Sequence, residues 1–510
     1  MARSLYGDLA SYFAPEEDGL TRRRMMQVSI AAGAAMLLSS SGLAAARRRP
    51  DGELPVAAPK RVVVIGAGLA GLSCASQLRH AGYEVQVLDA HDRCGGRVMT
   101  YTESEHNELI PGRVLEAGAE FIGSNHPLWL AFADGFGLKL SEVKRPNDPP
   151  PSVIIAGKKL DPAAAAKLYE DMTKAFSKLT AMAANVDADK PWTTPDAEKL
   201  DHQTLQSWID GLDADDLVKK ACRISLTSQN GVDPDAASLL AQLVRIKGGG
   251  LERYWTSSER FRCEAGNVML AATLLLKVGV ERFSMPSVVS AVTLNKSGTI
   301  TVESADTMKI ECDDVVLAIP PGAISGIRFS PALPADCRPQ MGLAAKYLAY
   351  MRRRFWAENK ISPITLSDGP VQRTWDATDA QVGDNDVCLA ATASGPQATR
   401  ILNLPPESVD AEFGKLLGAE FEGYDKNFVS GSMYDWVRDP NVRGSASFPA
   451  PGQVTKCGPV LEKGGFEFEG AARLHFAGEH TCFKFGGTME GALQSGVETA
   501  RKIAVRDGAK

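Results

Sequence analysis

The 510-residue chain lacks the spaced cysteine pairs of a disulfide framework or a CxxC metal site. Its nine cysteines are an odd number without regular spacing and read as mostly buried thiols. A His-rich zinc motif, a GxSxG elbow and a P-loop are also missing, so hydrolysis has little to rest on and no metal centre is expected. There is no excess of positive charge: a net charge of -6 excludes the basic surface expected of a nucleic-acid binder. The apolar run Val28 to Leu38 is too short, and too rich in Ala, Gly and Ser, to read as a membrane span. What remains is an ordinary globular composition, 44% hydrophobic and 23% charged, in a chain long enough for two or more domains.

The first residues read apart from the rest. Thr21-Arg22-Arg23-Arg24-Met25 precedes that weakly apolar run, and Ala44-Ala45-Ala46 offers a small-residue cleavage site before Arg47-Arg48-Arg49-Pro50. This is the layout of a twin-arginine export signal over residues 1–46. It implies export of a folded protein to the periplasm or beyond, with the export machinery as a partner. An uncleaved anchor is the other reading of the same segment.

Arg61 to Asp89 carries the first chemistry. Val62 to Ile65 is an unbroken apolar run, as in a parallel strand buried on both faces. Gly66-x-Gly68-x-Ala70-Gly71 follows at once, and Leu69, Leu72, Ala75 and Leu78 give the next helix an apolar stripe. Gly66 allows a tight turn, Gly68 a close approach to a pyrophosphate, and Gly71 close helix–strand packing. Tyr83 to Leu88 reads as the second strand, ending in Asp89, where an acid can hold ribose hydroxyls. These residues predict a dinucleotide site without choosing between NAD and FAD.

Arg93-Cys94-Gly95-Gly96-Arg97 comes next, then Leu115 to Gly123 with Gly118, Ala119 and Glu120. Near the C-terminus, Leu474-His475-Phe476-Ala477-Gly478-Glu479 leads to Gly486-Gly487-Thr488-Met489-Glu490-Gly491-Ala492. With these blocks the chain resembles the flavin-containing amine oxidase family over Lys60 to Ile503, although the family usually has Glu where Asp89 stands. The resemblance implies an α/β fold: a Rossmann-type FAD domain from discontinuous segments (59–126, 259–332, 439–505) and an α+β substrate domain (127–258, helical, and 333–438, sheet). It implies FAD bound by Gly66, Gly68, Ala70, Gly71, Asp89, Arg93, Gly96, Arg97, Gly118, Ala119, Val289, Trp436, Gly478, Glu479, Thr488 and Met489. The Ser445 region lacks the cysteine that links flavin covalently in some relatives, so FAD is expected to be non-covalent. By composition Lys346 is a solvated surface charge; by resemblance it is the lysine before a Phe-Trp pair that holds a water against flavin N5.

Between the blocks, Ala163 to Met182, Leu200 to Leu212 and Asp235 to Ile246 have helical spacing. Pro146 to Pro151 is a loop, and Lys247 to Gly250 is a turn or a hinge. The substrate side departs from the family pattern: simple monoamine oxidases carry two aromatic rings where this chain has Ala446 or Ser447, and Thr488. The expected pocket is therefore Glu120, Ala446 and Thr488, with small walls that imply either a bulkier substrate or a cage rebuilt from Trp375, Phe448 or Phe483. His126 and His480 are expected to be hydrogen-bonded structural histidines rather than bases. The expected reaction is oxidation of an amine to an imine, with O2 or another acceptor taking the electrons. An L-amino-acid oxidase, using Arg262 or Arg373 for the carboxylate, and a flavin-binding protein without turnover are the alternatives. A homodimer is left open.

Overall fold

The computed structural model describes residues 5–14, 19–45, 59–143, 149–334 and 338–508. The expected cleavage site at Ala46, the basic run Arg47 to Arg49, the loop residues Pro146 to Asp148, and Cys337 lie outside these residues. Among the described residues two helices precede the first strand. Helix α1 (Leu5–Phe13) buries Leu5, Tyr6 and Leu9 in the core of the helical region. Helix α2 (Gly19–Ala45) contains the three arginines and the weakly apolar run. The leader therefore packs on the body, which a reading of it as a separate segment does not anticipate.

Strand β1 (Arg61–Ile65), helix α3 (Leu69–His80) and strand β2 (Glu84–Leu88) form where the apolar run, the glycines and the alternating stretch place them. Helix α4 (Pro127–Phe136) starts on a proline and ends on Gly137 in the left-handed region, the favoured punctuation of a helix. Gly33 is where α2 meets α4: a Cβ there would lie 2.0 Å from the Pro127 carbonyl oxygen. Among the described residues no helix is long and apolar enough to cross a membrane.

The helical region follows. Helix α5 (Pro162–Ala183), capped by Asp161, matches the first expected helix. The second is two short helices, Ala197–His202 and Leu205–Asp210, because Thr204 caps a new start. Helix α6 (Asp216–Asn230) was not anticipated; Asp215 caps it and Gly231 ends it at φ +70. Helix α7 (Leu239–Gly248) begins after the Ser238 cap, and helix α8 (Glu252–Ser257) completes the group. Gly248 is the last residue of α7, and a Cβ there would lie 2.4 Å from both Cβ and the carbonyl oxygen of Lys484, so this glycine serves a close approach of two segments.

Three distant stretches meet in one parallel sheet. Strand β3 (Phe283–Ser284) extends β2, and strand β5 (Asp314–Leu317) lies on the other side of β1. Strand β9 (Leu474–Phe476) closes the edge, giving the order β9-β5-β1-β2-β3. The inner strands β1, from Val62 on, and β5 are buried on both faces, as in parallel sheets covered on each side. Strand β4 (Val289–Leu294) belongs to a separate four-stranded sheet. A seven-stranded sheet contains strands β6 (Ala344–Arg353), β7 (Arg373–Asp376) and β8 (Asn385–Ser394), with β8 paired antiparallel to both neighbours. Helix α9 (Met489–Arg506) returns across α3, where a Cβ at Gly496 would lie 2.1 Å from the Ala70 carbonyl oxygen.

Candidate active site

The glycine turn is held by its own backbone and by one acid. The Gly66 N–H donates to the Leu88 carbonyl at 2.7 Å with φ at +111, a conformation that disfavours any side chain. A Cβ at Gly71 would lie 1.9 Å from the Gly66 carbonyl oxygen, so helix and strand meet at van der Waals distance. The Asp89 carboxylate accepts from the Ala67 N–H at 2.6 Å and the His91 N–H at 2.8 Å, fixing the turn while bordering the cavity. His91 bridges onward to Asp439 at 2.9 Å, and its hydrogen bond to Asp89 raises its pKa. This acid–imidazole–acid link was not read from the sequence, because its members lie in remote blocks.

A cavity of about 450 Å³ runs from this turn to the seven-stranded sheet. Gly66, Gly68, Ala70, Gly96, Val289 and Asp89 line it near the turn, with Gly71 behind them as a packing position. Gly118, Ala119, Trp436, Gly478, Thr488 and Met489 line it further along. Arg93 does not reach the wall: it donates to the Cys94 and Val98 carbonyls and sits 5.8 Å over the Trp436 ring, which it supports from outside. No cysteine is among the described residues that line the cavity, so a thioether to a flavin has no donor there.

The half-buried Arg97 pairs with the buried Glu479 at 2.7 Å. Glu479 also accepts from the Ser447 N–H and hydroxyl and from the Gly487 N–H. Burial alone would raise its pKa, but the Arg97 cation and these donors hold it at about 2. Thr488 caps α9 by accepting from the Gly491 N–H at 3.0 Å, so Met489 is the first helical residue and its N–H has no partner within the helix. The positive end of α9 is thereby presented to the cavity. His126 accepts from the Gly123 N–H, as expected of a structural histidine. His480 has no hydrogen-bond partner at either nitrogen among the described residues, contrary to expectation, and burial lowers its pKa to about 4.

At the sheet end, Lys346 Nζ lies 2.5 Å from Glu120 Oε2 and 3.4 Å from the Gly118 carbonyl, and 5.4 Å from the Trp375 ring centroid. Glu120 also accepts from Arg262 Nε at 2.7 Å and Trp375 Nε1 at 3.0 Å. Burial would raise its pKa; the Lys346 and Arg262 cations hold it at about 2. Glu120, Trp375, Ala446 and Thr488 line the cavity. Phe448 does not: it is fully buried in the helical core beneath the Arg245 guanidinium, 4.4 Å from its ring. Phe483 packs on Trp192, with centroids 6.0 Å apart, and is likewise absent from the wall. Of the three aromatic candidates, Trp375 alone reaches the cavity, since a buried ring serves a core as well as a cage. Helix α6 supplies Ser228, Gln229 and Asn230, which the sequence reading missed; the Asp215 cap was the available signal.

An elongated cavity with a glycine turn at one end, a helix N-terminus on its flank and an ion-paired lysine at the other defines a dinucleotide-dependent oxidoreductase. Gly68 lines the cavity, where a Cβ would meet no protein atom nearer than 3.9 Å, so its bare backbone leaves the close approach that the pyrophosphate of FAD needs. The profile of the family described as flavin containing amine oxidoreductase matches residues 69–504, and the chain belongs to that family. It is an FAD-dependent enzyme acting on amines. It is 24% identical over 466 residues to the probable flavin-containing monoamine oxidase A of Dictyostelium discoideum, covering 87% of this chain and 97% of that protein. It is 26% identical over 467 residues to amine oxidase [flavin-containing] A of Sus scrofa, covering 87% and 84%. The solved structure of cyclohexylamine oxidase from Brevibacterium oxydans superposes with a TM-score of 0.77 at 24% identity, over 88% of this chain and 99% of that one.

Proposed function

We propose that this enzyme oxidises the C–N bond of an amine to an imine, which water then hydrolyses to an aldehyde or ketone. Bound FAD would supply the acceptor for the hydride leaving the carbon next to nitrogen, and O2 or another acceptor would regenerate it. The carrying observation is the pairing of the acids that line the cavity beyond the turn: Glu120 lies 2.5 Å from Lys346 and 2.7 Å from Arg262, and Glu479 lies 2.7 Å from Arg97. Carboxylates held ionised by such partners are poor bases near neutral pH, and hydride loss from a neutral amine asks for none. The chain's own work is then to orient and desolvate. Lys346, anchored by Glu120, would hold a water or a developing charge beside the flavin ring, and the N-terminus of α9 would face the ring's electron-rich edge. FAD would be non-covalent.

Anaerobic mixing of the yellow protein with a panel of amines and amino acids tests this directly. Bleaching by at least one amine is expected; bleaching by none would leave a flavin-binding protein without turnover. Following peroxide and an artificial dye in parallel identifies the acceptor. We also infer export by the twin-arginine route, on the strength of Arg22-Arg23-Arg24 and the run after them. Replacing Arg22 and Arg23 by Lys should retain the protein in the cytoplasmic fraction, and unchanged partition would refute export by this route.

A further inference from the structure

Helix α1 does not merely rest on the body. Its Asp8 is fully buried and is gripped by Arg373, through Nε and through Nη2 at 3.1 Å, in a two-pronged contact. Tyr6, two residues earlier, lies in an aromatic box, with centroids 5.6 Å from Tyr169, 4.9 Å from Phe176 and 5.7 Å from Trp255. Its backbone N–H donates to Ser225 of α6. The same helix carries Ser228 and Gln229 to the cavity three residues later, so one element joins the α1 slot to the active site.

Arg373 is itself in line with the site. Lys346 pairs with Thr392, and Thr392 pairs with Arg373, across β6, β8 and β7. Directly paired residues of antiparallel strands leave the sheet on one face, so these three form a row two strand spacings long, about 10 Å. Lys346 and Thr392 line the cavity, and the buried Thr392 hydroxyl has no partner among the described residues. The Arg373 guanidinium stacks 4.6 Å over Trp375, which itself lines the cavity. Its Nη1 also has no partner among the described residues. Arg262, by contrast, takes both its anions, Glu120 and Asp379, from the body. A buried guanidinium needs an anion, and for Arg373 the anion comes from the leader.

We propose that Asp8 stands in for a substrate carboxylate: Arg373 is a carboxylate subsite, closed by α1 until that helix is removed or displaced, and it then admits amines bearing a carboxylate and an aromatic body. This rests on the amine-oxidising reading above. Tyr6 and Asp8 together present an aromatic ring and an acid, the two groups such a substrate would bring, and the vacated slot would lead along α6 to Lys346.

The test uses the full-length, FAD-loaded protein with L-phenylalanine and phenethylamine, which differ by the carboxylate, and with benzoate as a non-reacting acid. Asp8→Ala should expose α1 to protease, let benzoate perturb the flavin spectrum, and raise the anaerobic bleaching rate with phenylalanine at least tenfold more than with phenethylamine. Adding Arg373→Met should abolish the benzoate response and lower the phenylalanine-to-phenethylamine ratio at least tenfold. Equal gains with both amines, or a ratio indifferent to Arg373→Met, would overturn the proposal. In the wild-type chain, whose folding is not in question, benzoate should accelerate clipping of α1, and no acceleration would also overturn it. Benzoate binding that depends on Arg373, with no bleaching by either amine, would uphold the subsite while removing the amine-oxidising reading.

Discussion

Glu120→Gln is the substitution that bears most directly on the active site. The carboxylate accepts from Lys346, Arg262 and Trp375 at once. Gln keeps its shape and an oxygen for Trp375, but leaves Lys346 with the Gly118 carbonyl at 3.4 Å and no anion. A carboxyl brought from 4.5 down to about 2 contributes about 3 kcal/mol at neutral pH, since each tenfold change in proton affinity is worth ~1.4 kcal/mol. Breaking a buried pair from one side costs about 3–5 kcal/mol by a separate route, so the two figures agree. Because the folded value is the lower one, this contribution is complete above about pH 4.5 and is lost as pH falls towards 2. Urea unfolding of the FAD-loaded protein at pH 7 should therefore show a loss of about 3 kcal/mol. Lys346→Met in the same background should recover part of it, because the stranded cation is gone. A loss below about 1 kcal/mol, or strict additivity of the two changes, would refute the account of Glu120 as the anchor of Lys346.

Three further outcomes are expected. Lys346→Met alone should leave FAD bound, by its absorbance ratio to protein, while slowing flavin reduction or reoxidation in stopped flow; unchanged rates would remove Lys346 from the chemistry. Gly71→Ala places a Cβ 1.9 Å from the Gly66 carbonyl oxygen, an overpacking worth about 1–3 kcal/mol, and should yield protein that loses FAD on gel filtration and melts earlier. Glu116, whose pKa burial pushes up to about 8, is protonated when folded, so its effect on stability is neutral below pH 4.5 and grows unfavourable, to about 3 kcal/mol, by pH 7. Glu116→Gln, whose oxygen can still accept from the Asn267 N–H, should flatten the fall of the thermal midpoint between pH 5 and 8, and an unaltered slope would show that Glu116 titrates normally.

What was legible in the sequence was whatever is written locally. The turn from Ile65 to Leu69 needs glycine for reasons confined to a few residues, and the start of α9 at Met489 follows from its threonine cap. Helix α5 announced itself by spacing, whereas α6, with polar residues at its cavity end, did not. Phe448 and Phe483 were assigned to the cage because aromaticity is visible in a sequence and burial is not. The His91–Asp439 link and the Asp8–Arg373 pair join residues hundreds of positions apart, and no periodicity encodes such a meeting. The basic run ahead of Val28 suggested an address label, while the contacts of α1 depend on a slot that exists only after folding.

The parallel sheet also sets an order in time. Val62 pairs with Asp314, and Val315 with Leu474. A chain emerging from the ribosome therefore carries its glycine turn long before either strand on that side of β1 exists, and α9, whose N-terminus faces the cavity, is the last of the described helices to be made. Contacts so far apart fold slowly, since each long loop must close before any pairing can compensate. Flavin capture is consequently a step that follows completed synthesis, and a nascent or C-terminally clipped chain ending before Leu474 would stay colourless however well its first strand, turn and helix had formed.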